Sequence, residues 1–258
     1  MPTVRDVYIF LDQIAPFAGQ MPQDNSGLLV GDEGAGVRCA LLALDITNEV
    51  IDQAAAQGAQ LILSHHPVIY LPRKQLLAND PVYRLARAGI AAIAAHTSLD
   101  DAAGGVTEAL AARLGVGGLE PVLNAGALPE PCLRMGTLPR PLPADEFARH
   151  AAKCLRAHVR YCAGGKAVQR IGLCGGGGAK DWIHAARAGA DAYLTGDADH
   201  HNFIEAKQAG LSFFAAGHYE TERLILPPLL EKLQGAFPAV EWRIAQEENP
   251  VMLAEESY

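Results

Sequence analysis

Two adjacent histidines, His65 and His66, have the type and the position for metal chemistry. They follow the apolar run Leu61–Leu63, which is predicted to be a buried strand, and Pro67 prevents that strand from continuing. Open α/β sheets place their chemistry at strand ends, and neutral imidazole is the commonest metal ligand in proteins. Two adjacent histidines by themselves do not have the spacing of a known set of metal ligands. Two interpretations therefore stay open at this point: a metal site, or one core and one exposed histidine.

A second group of polar residues follows the next predicted strand. The strand Ile90–Ala95 runs into His96 and Asp100. Strands and helices alternate from Cys39 to this point, and right-handed crossovers then predict a parallel sheet whose strand ends share one edge. His96 and Asp100 are therefore expected to converge with the histidine pair. Asp45, at the end of the preceding strand, points to the same edge.

A third group follows the predicted strand Leu211–Ala216. If a helix begins after Gly217, His218 and Glu222 lie at i and i+4 on one face of it. That spacing suits two ligands of one metal ion, or of a close pair of ions.

The second half also contains a polar stretch and a glycine run. Asp197 and His201 follow the strand Ala192–Leu194 and are expected to line the cleft beside the ligands, with an ordinary polar loop as the alternative. Gly175–Gly178 lies between a predicted strand and a helix N-terminus, where phosphate often binds. The run lacks the G-K-[ST] ending of a P-loop and does not fit G-x-G-x-x-G, so close helix–strand packing is the alternative.

Both halves of the chain alternate strands with helices, which predicts an α/β fold with two units. Residues 117–143 are rich in glycine and proline and show no sustained period, so we interpret them as the crossover between two domains. A closing strand at Trp242–Ala245 is expected to return to the first domain. The first domain is thus placed at residues 1–125 plus 240–258, and the second at residues 126–239.

The composition excludes several classes of protein. The 258 residues carry 21 basic and 29 acidic side chains, and the net charge of −8 argues against general nucleic-acid binding. No apolar run approaches the roughly 18 residues needed to cross a bilayer, and residues 1–10 do not resemble a signal peptide. The five cysteines form no C-x-x-C pair and are odd in number, so we expect a cytosolic protein without a disulfide framework or thiolate zinc site. The acidic tail, Glu247–Tyr258, is expected on the surface.

The candidate ligands offer nitrogen and oxygen without thiolate, which favours a hydrolytic metal over a structural zinc. Zinc, manganese, iron and nickel all suit such a set. Successive residues at a strand end point to different sides, so His65 and His66 are each expected to face a different metal ion. Two ions about 3.5–4 Å apart, bridged by a carboxylate such as Glu222, generate hydroxide at neutral pH.

Several short motifs stand in a specific order and spacing along the chain: Asn25–Gly31, Leu41–Thr47, Leu63–Pro67, His96–Asp100, Thr195–Asp197 and Gly217–Glu222. With these motifs the chain resembles, over nearly its full length, the Nif-three-like dinuclear metal centre proteins, also named GTP cyclohydrolase 1 type 2 homologs. The resemblance implies that two divalent metal ions are bound by five residues of this chain: His65, His66, Asp100, His218 and Glu222. Ser98 stands where many members have asparagine, which alters a contact beside the ligands but not the ligands themselves.

The resemblance also implies an α/β fold of two interlocked domains, each a mixed, mostly parallel sheet flanked by helices. It implies a ring-shaped homohexamer whose metal ions face an internal cavity. Some members carry an inserted domain, for which this chain has no room between Pro143 and Ile171.

These observations lead to one expected function and two rivals. We expect a dinuclear metal-dependent hydrolase that acts on a nucleotide or related small molecule, such as GTP, through a metal-bound hydroxide, with His96 or His201 moving a proton. The family name implies opening of the guanine ring of GTP with release of formate. A phosphatase or phosphodiesterase that uses the same metals is the first rival. The second is a non-enzymatic metal-binding regulatory ring protein.

Overall fold

The computed structural model describes residues 1–123 and 129–252, which form two β-sheets flanked by helices. The strands in these ranges are β1 (Gly27–Val30), β2 (Cys39–Ala43), β3 (Leu61–Ser64), β4 (Ala91–Ala94), β5 (Gly117–Leu123), β6 (Pro129–Leu142), β7 (Arg160–Cys162), β8 (Val168–Leu173), β9 (Ala192–Thr195), β10 (Ser212–Ala215) and β11 (Glu241–Ile244). The helices are α1 (Val4–Ile14), α2 (Asn48–Ala56), α3 (Pro81–Ala88), α4 (Thr97–Asp101), α5 (Val106–Leu114), α6 (Ala144–Leu155), α7 (Trp182–Arg187), α8 (His200–Gln208), α9 (His218–Glu222) and α10 (Leu226–Ala236). None of these helices is long and apolar enough to cross a membrane.

The first sheet has the strand order β1-β4-β3-β2-β11. Strands β4, β3, β2 and β11 are parallel, and β1 is added antiparallel at one edge. Every residue of β2, β3 and β4 is buried, as expected of parallel strands covered by helices on both faces. The parallel sheet and the returning strand near Trp242 are therefore confirmed.

The second sheet has the order β5-β6-β8-β9-β10-β7. Only β8, β9 and β10 run parallel, and the remaining pairings are antiparallel. The α/β class with two sheets is thus confirmed. The mostly parallel arrangement holds for the first sheet, while the second is mixed because a hairpin and an edge strand join its parallel centre.

The interpretation of residues 117–143 as an irregular crossover is wrong, because β5 and β6 form an antiparallel ladder there. The ladder shifts register between Gly117 and Glu120 and again between Pro121 and Leu123. Glycine and proline at such irregularities hide the alternation by which a strand is recognised in sequence. The proposed domain boundary at residues 125 and 126 lies outside the described residues and stays a prediction, although β5 itself pairs within the second sheet.

Local signals place the helix ends that surround the histidine strand. Thr47 caps α2, its hydroxyl accepting from the Val50 N–H at 3.3 Å, and Asp80 caps α3 with Pro81 at the first helical position. Gly89 ends α3 in the left-handed conformation, with φ of 67°. These caps fix the lengths of the crossovers, and so bring the ends of β2, β3 and β4 to one edge.

Helix α5 joins the cores of the two sheets. Val106 is buried in the cluster under the first sheet, while Leu110 and Leu114 are buried in a cluster against the second. Full burial of a leucine contributes about 1.5–3 kcal/mol, so this helix holds the two sheets together firmly. The carboxyl ends of β3 and β10, one from each sheet, lie close together, since His66 and Glu222, which follow them, are in hydrogen-bond contact.

Candidate metal centre

The histidine pair lies at the end of β3, where the backbone still pairs with the neighbouring strand. The His65 N–H donates to the Ala43 carbonyl at 3.1 Å, and the His66 N–H to the Leu44 carbonyl at 2.9 Å. Extended backbone sends successive side chains to opposite sides. His65 is accordingly buried, with 2% of its surface exposed, while His66 is only partly buried.

The imidazoles of His65, His66 and His218 share one orientation, in which Nδ1 donates a hydrogen bond away from the centre. The acceptors are, in turn, the Ala95 carbonyl oxygen at 2.9 Å, Asp45 Oδ1 at 2.8 Å and Asp197 Oδ2 at 2.7 Å. Donation from Nδ1 leaves the lone pair of a neutral imidazole on Nε2, which is the arrangement that protein partners impose on metal-binding histidines. Asp197 thus makes the hydrogen bond expected of a residue that orients a metal-binding histidine.

Glu222 occupies the middle of the cluster. Its Oε2 lies 2.8 Å from His66 Nε2, 3.0 Å from His218 Nε2 and 3.7 Å from His65 Nε2. Asp100 Oδ1 lies 3.5 Å from His65 Nε2 on the far side. The structure therefore brings together all five residues predicted as metal ligands.

The donor set fits a metal ion. Within the described ranges, His65 Nε2 and Asp100 Oδ1 are buried without a hydrogen-bond partner, and an unsatisfied buried polar atom costs about 1–3 kcal/mol. His66 Nε2 and His218 Nε2 lie 3.4 Å apart and, in their neutral forms, present two lone pairs to each other. Cations placed among these donor atoms, near His65 and Asp100 and near His66 and His218, would satisfy them.

Two sets of three side chains share Glu222: His65, Asp100 and Glu222 form one set, and His66, His218 and Glu222 the other. The donor atoms within each set lie within 4.8 Å of one another. A third such set joins His65 and His66 to His96. A shared carboxylate between two sets is the geometry in which one residue bridges two ions.

In the metal-free protein, protons take the place of a cation. Burial opposes the charged form of His66, but its hydrogen bonds to Asp45 and Glu222 outweigh that effect and raise its pKa to about 10. Burial also opposes the charge of His218, while Glu222 and Asp197 raise its pKa to about 9. Because a metal binds only neutral imidazole, uptake of a metal must release these protons.

The pKa of Asp100 is shifted in the direction opposite to that of Glu222. Burial raises the pKa of Asp100 to about 6, with the neighbouring Glu222 charge adding to the shift. Burial has the same tendency at Glu222, but the surrounding histidines overcome it and lower the pKa of that carboxyl. Glu222 is thus the carboxylate that stays ionised in the centre.

His96 lies beside the pair and is held by a buried carboxylate. Its Nδ1 donates to Asp24 Oδ1 at 2.7 Å, and Asp24 Oδ2 accepts from the Thr97 N–H at 3.0 Å. Burial of Asp24 is outweighed by these hydrogen bonds, which hold its pKa well below the usual range. Asp24 was not among the residues that the sequence pointed to, because its partner His96 stands 72 positions away.

His201 lies apart from the ligands. It is exposed on α8 and belongs to none of the metal-capable sets found in the described residues, although it lines the cavity that opens on the centre. Its part in proton transfer stays a prediction.

The glycine run allows the backbone to approach the ligand side chains. Gly176 has φ of +57°, and a Cβ there would lie 1.8 Å from Glu222 Oε1 and 3.1 Å from His218 Nε2. A Cβ at Gly178 would lie 2.4 Å from Cys174 Sγ. Close packing is therefore the role that the structure shows for Gly176 and Gly178, and at Gly176 the partners are candidate ligands.

Cavities reach the centre from more than one side. The first, of about 840 Å³, is lined by Asp100, Glu222 and His96, and by Tyr70, Arg160 and Lys180. The second, of about 500 Å³, reaches His66 and His218 from another side and is bounded by the segment Asn249–Val251. A small ligand therefore has direct access to the candidate metal ligands.

The expectation of a surface tail beginning at Glu247 is wrong for that residue. The half-buried Glu247 carboxylate accepts from the backbone N–H groups of Leu44 and Asp45, at 2.7 and 2.8 Å. No local pattern announces this contact, since the partners stand 203 and 202 positions apart. Residues 253–258 of the predicted tail lie outside the described residues.

Known proteins share this sequence and architecture. The sequence profile of the family described as Duf34/NIF3 (NGG1p interacting factor 3) matches residues 2–250. A Streptomyces coelicolor protein named GTP cyclohydrolase 1 type 2 homolog is 33% identical over 235 residues, which cover 86% of this chain and 82% of that protein. The crystal structure of Staphylococcus aureus protein SA1388 matches 98% of this chain and 99% of its own, with 25% identity and a TM-score of 0.89. Reduced HcgD from Methanocaldococcus jannaschii matches 94% and 97%, with 26% identity and a TM-score of 0.79. The chain belongs to the Duf34/NIF3 family.

Proposed function

We propose that the protein is a dinuclear metal-dependent hydrolase. The observation that carries the proposal is the pair of three-residue sets that share Glu222. One ion would be held by His65, Asp100 and Glu222, and the other by His66, His218 and Glu222. Zinc, manganese, iron and nickel all suit imidazole and carboxylate ligands.

Three protein ligands for each ion leave positions open for water and substrate, as catalytic sites require. The bound ions supply Lewis acidity and water that is activated for attack at neutral pH. We propose His96 as the group that moves a proton, since Asp24 holds its Nδ1 and its Nε2 is left to exchange the proton. The Asp24 carboxylate, bonded to Nδ1, holds the His96 ring in place for that transfer. His201, on the cavity wall, is the second candidate.

We propose a nucleotide or a related small molecule as the substrate. The 840 Å³ cavity is large enough for such a ligand. Tyr70 is 47% exposed beside the cavity and its ring centre lies 6.2 Å from that of His96, so it offers a surface for a planar base. Arg160 and Lys180 line the same cavity and suit phosphate oxygens. The name of the Streptomyces coelicolor relative, GTP cyclohydrolase 1 type 2 homolog, supports GTP as the first compound to test.

Elemental analysis of protein purified without chelator, followed by assays with each metal found, tests the proposal. We expect formate release from GTP if the guanine ring is opened, and phosphate release if the protein is a phosphatase or phosphodiesterase. His65→Ala is expected to lose metal and activity together. A metal-loaded protein that turns over no nucleotide would contradict the hydrolase and favour a non-enzymatic metal-binding ring protein.

We also propose self-assembly, as a homohexamer, in the cytosol. Between β3 and α3, four apolar side chains are exposed, a feature typical of interaction surfaces: Tyr70, Leu71, Leu76 and Leu77. All five cysteines are unpaired, which suits a reducing compartment. Light scattering of the protein as it elutes from a size-exclusion column measures the molar mass of the assembly. A monomeric mass at micromolar concentration would contradict the proposal.

A further inference from the structure

The segment that follows β11 crosses from the first sheet toward α9. The Gln246 N–H donates to Gln53 Oε1 at 2.9 Å, and the Gln53 amide donates back to the Gln246 carbonyl at 2.8 Å. One residue later, the Glu247 carboxylate accepts from the Leu44 and Asp45 N–H groups. Two backbone donors on one carboxylate make a charge-assisted contact, which is stronger than an ordinary hydrogen bond. Glu247 therefore anchors the backbone just past the end of β2.

Glu247 reaches the candidate metal ligand His66 through one intermediate residue, Asp45. Asp45, whose N–H is held by Glu247, accepts from His66 Nδ1 at 2.8 Å through its own side chain. The Asp45 side chain is 47% exposed, so packing alone does not fix its position. Its backbone bond to Glu247 supplies the missing restraint, and thereby holds the His66 ring in its orientation.

The same segment also contacts the other half of the centre. The Tyr219 hydroxyl donates to the Glu247 carbonyl at 3.0 Å, and the Asn249 amide donates to Glu220 Oε1 at 2.8 Å. Tyr219 and Glu220 belong to α9, the short helix that begins at His218. Residues 247–249 thus connect the end of β2 to the helix that carries His218 and Glu222.

We propose that residues 247–249 form a clasp that sets the distance between the two ligand-bearing halves, with Glu247 as its positioning residue. The inference rests on the proposed metal centre. Loss of a residue that hydrogen-bonds a metal ligand, as Asp45 does with His66, typically lowers metal affinity about 10–100-fold, and Glu247 acts through Asp45. The clasp acts on both halves, because its carboxylate holds the side of His66 and its carbonyl holds the side of His218.

Titration of metal-free protein with Co²⁺ tests the clasp, with the affinity and the visible absorption bands of bound Co²⁺ as readouts. Glu247→Ala is expected to weaken binding by about 10-fold or more and to change the bands, since the ligand geometry relaxes. Glu247→Gln retains one acceptor oxygen and is expected to lie between that variant and the wild type. Glu248→Gln is the matched control: Glu248 is exposed, and no hydrogen bond of its side chain is found in the part of the chain described.

Tyr219→Phe keeps the proposal testable if Glu247→Ala does not fold, because it removes only the hydroxyl bonded to the Glu247 carbonyl. It is expected to change the Co²⁺ bands in the same direction by a smaller amount. Wild-type affinity and bands in every folded variant would overturn the clasp. If the wild type itself bound no Co²⁺, the proposed metal centre would be overturned instead, so the two failures are distinct.

Discussion

Glu222 Oε2 lies 2.8 Å from His66 Nε2, although the two residues stand 156 positions apart and follow strands of different sheets. The centre therefore exists only when both halves of the chain are folded and docked. A metal ion that bridges the halves would bind the native state and not the unfolded chain, which couples metal binding to global stability.

Metal removal is expected to lower the melting temperature. At a free metal concentration of 100 times Kd, binding contributes about 2.7 kcal/mol. For a chain of this size, that shifts Tm by several degrees. Differential scanning calorimetry with and without chelator measures the shift. If the chelator is shown to remove the metal and Tm does not change, the metal does not stabilise the contact between the two halves of the chain.

Gly176→Ala is expected to abolish metal binding, because its Cβ would lie 1.8 Å from Glu222 Oε1. The left-handed backbone at this residue adds about 1–2 kcal/mol of strain. Gly177→Ala is the matched control, since a Cβ there has no neighbour within 4 Å. Metal stoichiometry by mass spectrometry distinguishes the two variants. Equal metal content in both would show that the close approach of Gly176 to Glu222 is not needed for metal binding.

The stability of metal-free protein is expected to fall as the pH rises. His66 and His218 have pKa values raised from 6.5 to about 10 and about 9, so the folded state holds protons that the unfolded chain releases. Their contribution is complete below pH 6.5 and is lost as the pH passes through 9 to 10. Urea unfolding at several pH values tests this, and His66→Gln/His218→Gln should reduce the dependence. A wild type no more pH-dependent than the double variant would show that the shifts are absent.

Metal affinity is expected to change with pH in the opposite direction. The same protons compete with the metal, so affinity should rise from pH 6.5 until the pH exceeds the raised pKa values of His66 and His218. Calorimetry in buffers of different ionisation enthalpy counts the protons released. Binding without proton release at neutral pH would refute this account of the two histidines.

Asp24→Asn is expected to preserve two metal ions per chain while lowering kcat about 100-fold or more, because His96 loses the charge that supports proton transfer. The loss of charge-assisted bonds from His96 and Thr97 should also cost about 1–3 kcal/mol of stability. Metal analysis and steady-state kinetics on the same preparation separate the two effects. Full kcat in this variant would remove His96 from the proposed proton transfer.

Local signals in the sequence were sufficient to predict the elements that carry the ligands. The apolar runs before His65 and His96 marked buried strands, and the rule for parallel sheets placed their ends together. The i, i+4 spacing of His218 and Glu222 predicted one helical face, which α9 provides. Periodicity and caps act over a few residues, and a single chain displays them directly.

The parts that sequence could not predict depend on long-range contacts. Asp24 and Glu247 act through partners that are distant in the chain, and neither has a distinctive local pattern. The pairing of β5 with β6 was hidden by glycine and proline at its irregular positions. The role of Gly176 became visible only once Glu222 was placed against it.

The most direct test of the central claim is the anomalous diffraction of crystals of the metal-loaded protein. The account predicts two peaks about 3.5–4 Å apart, one beside His65 and Asp100 and the other beside His66 and His218, with Glu222 touching both. A single peak, or peaks away from Glu222, would contradict it.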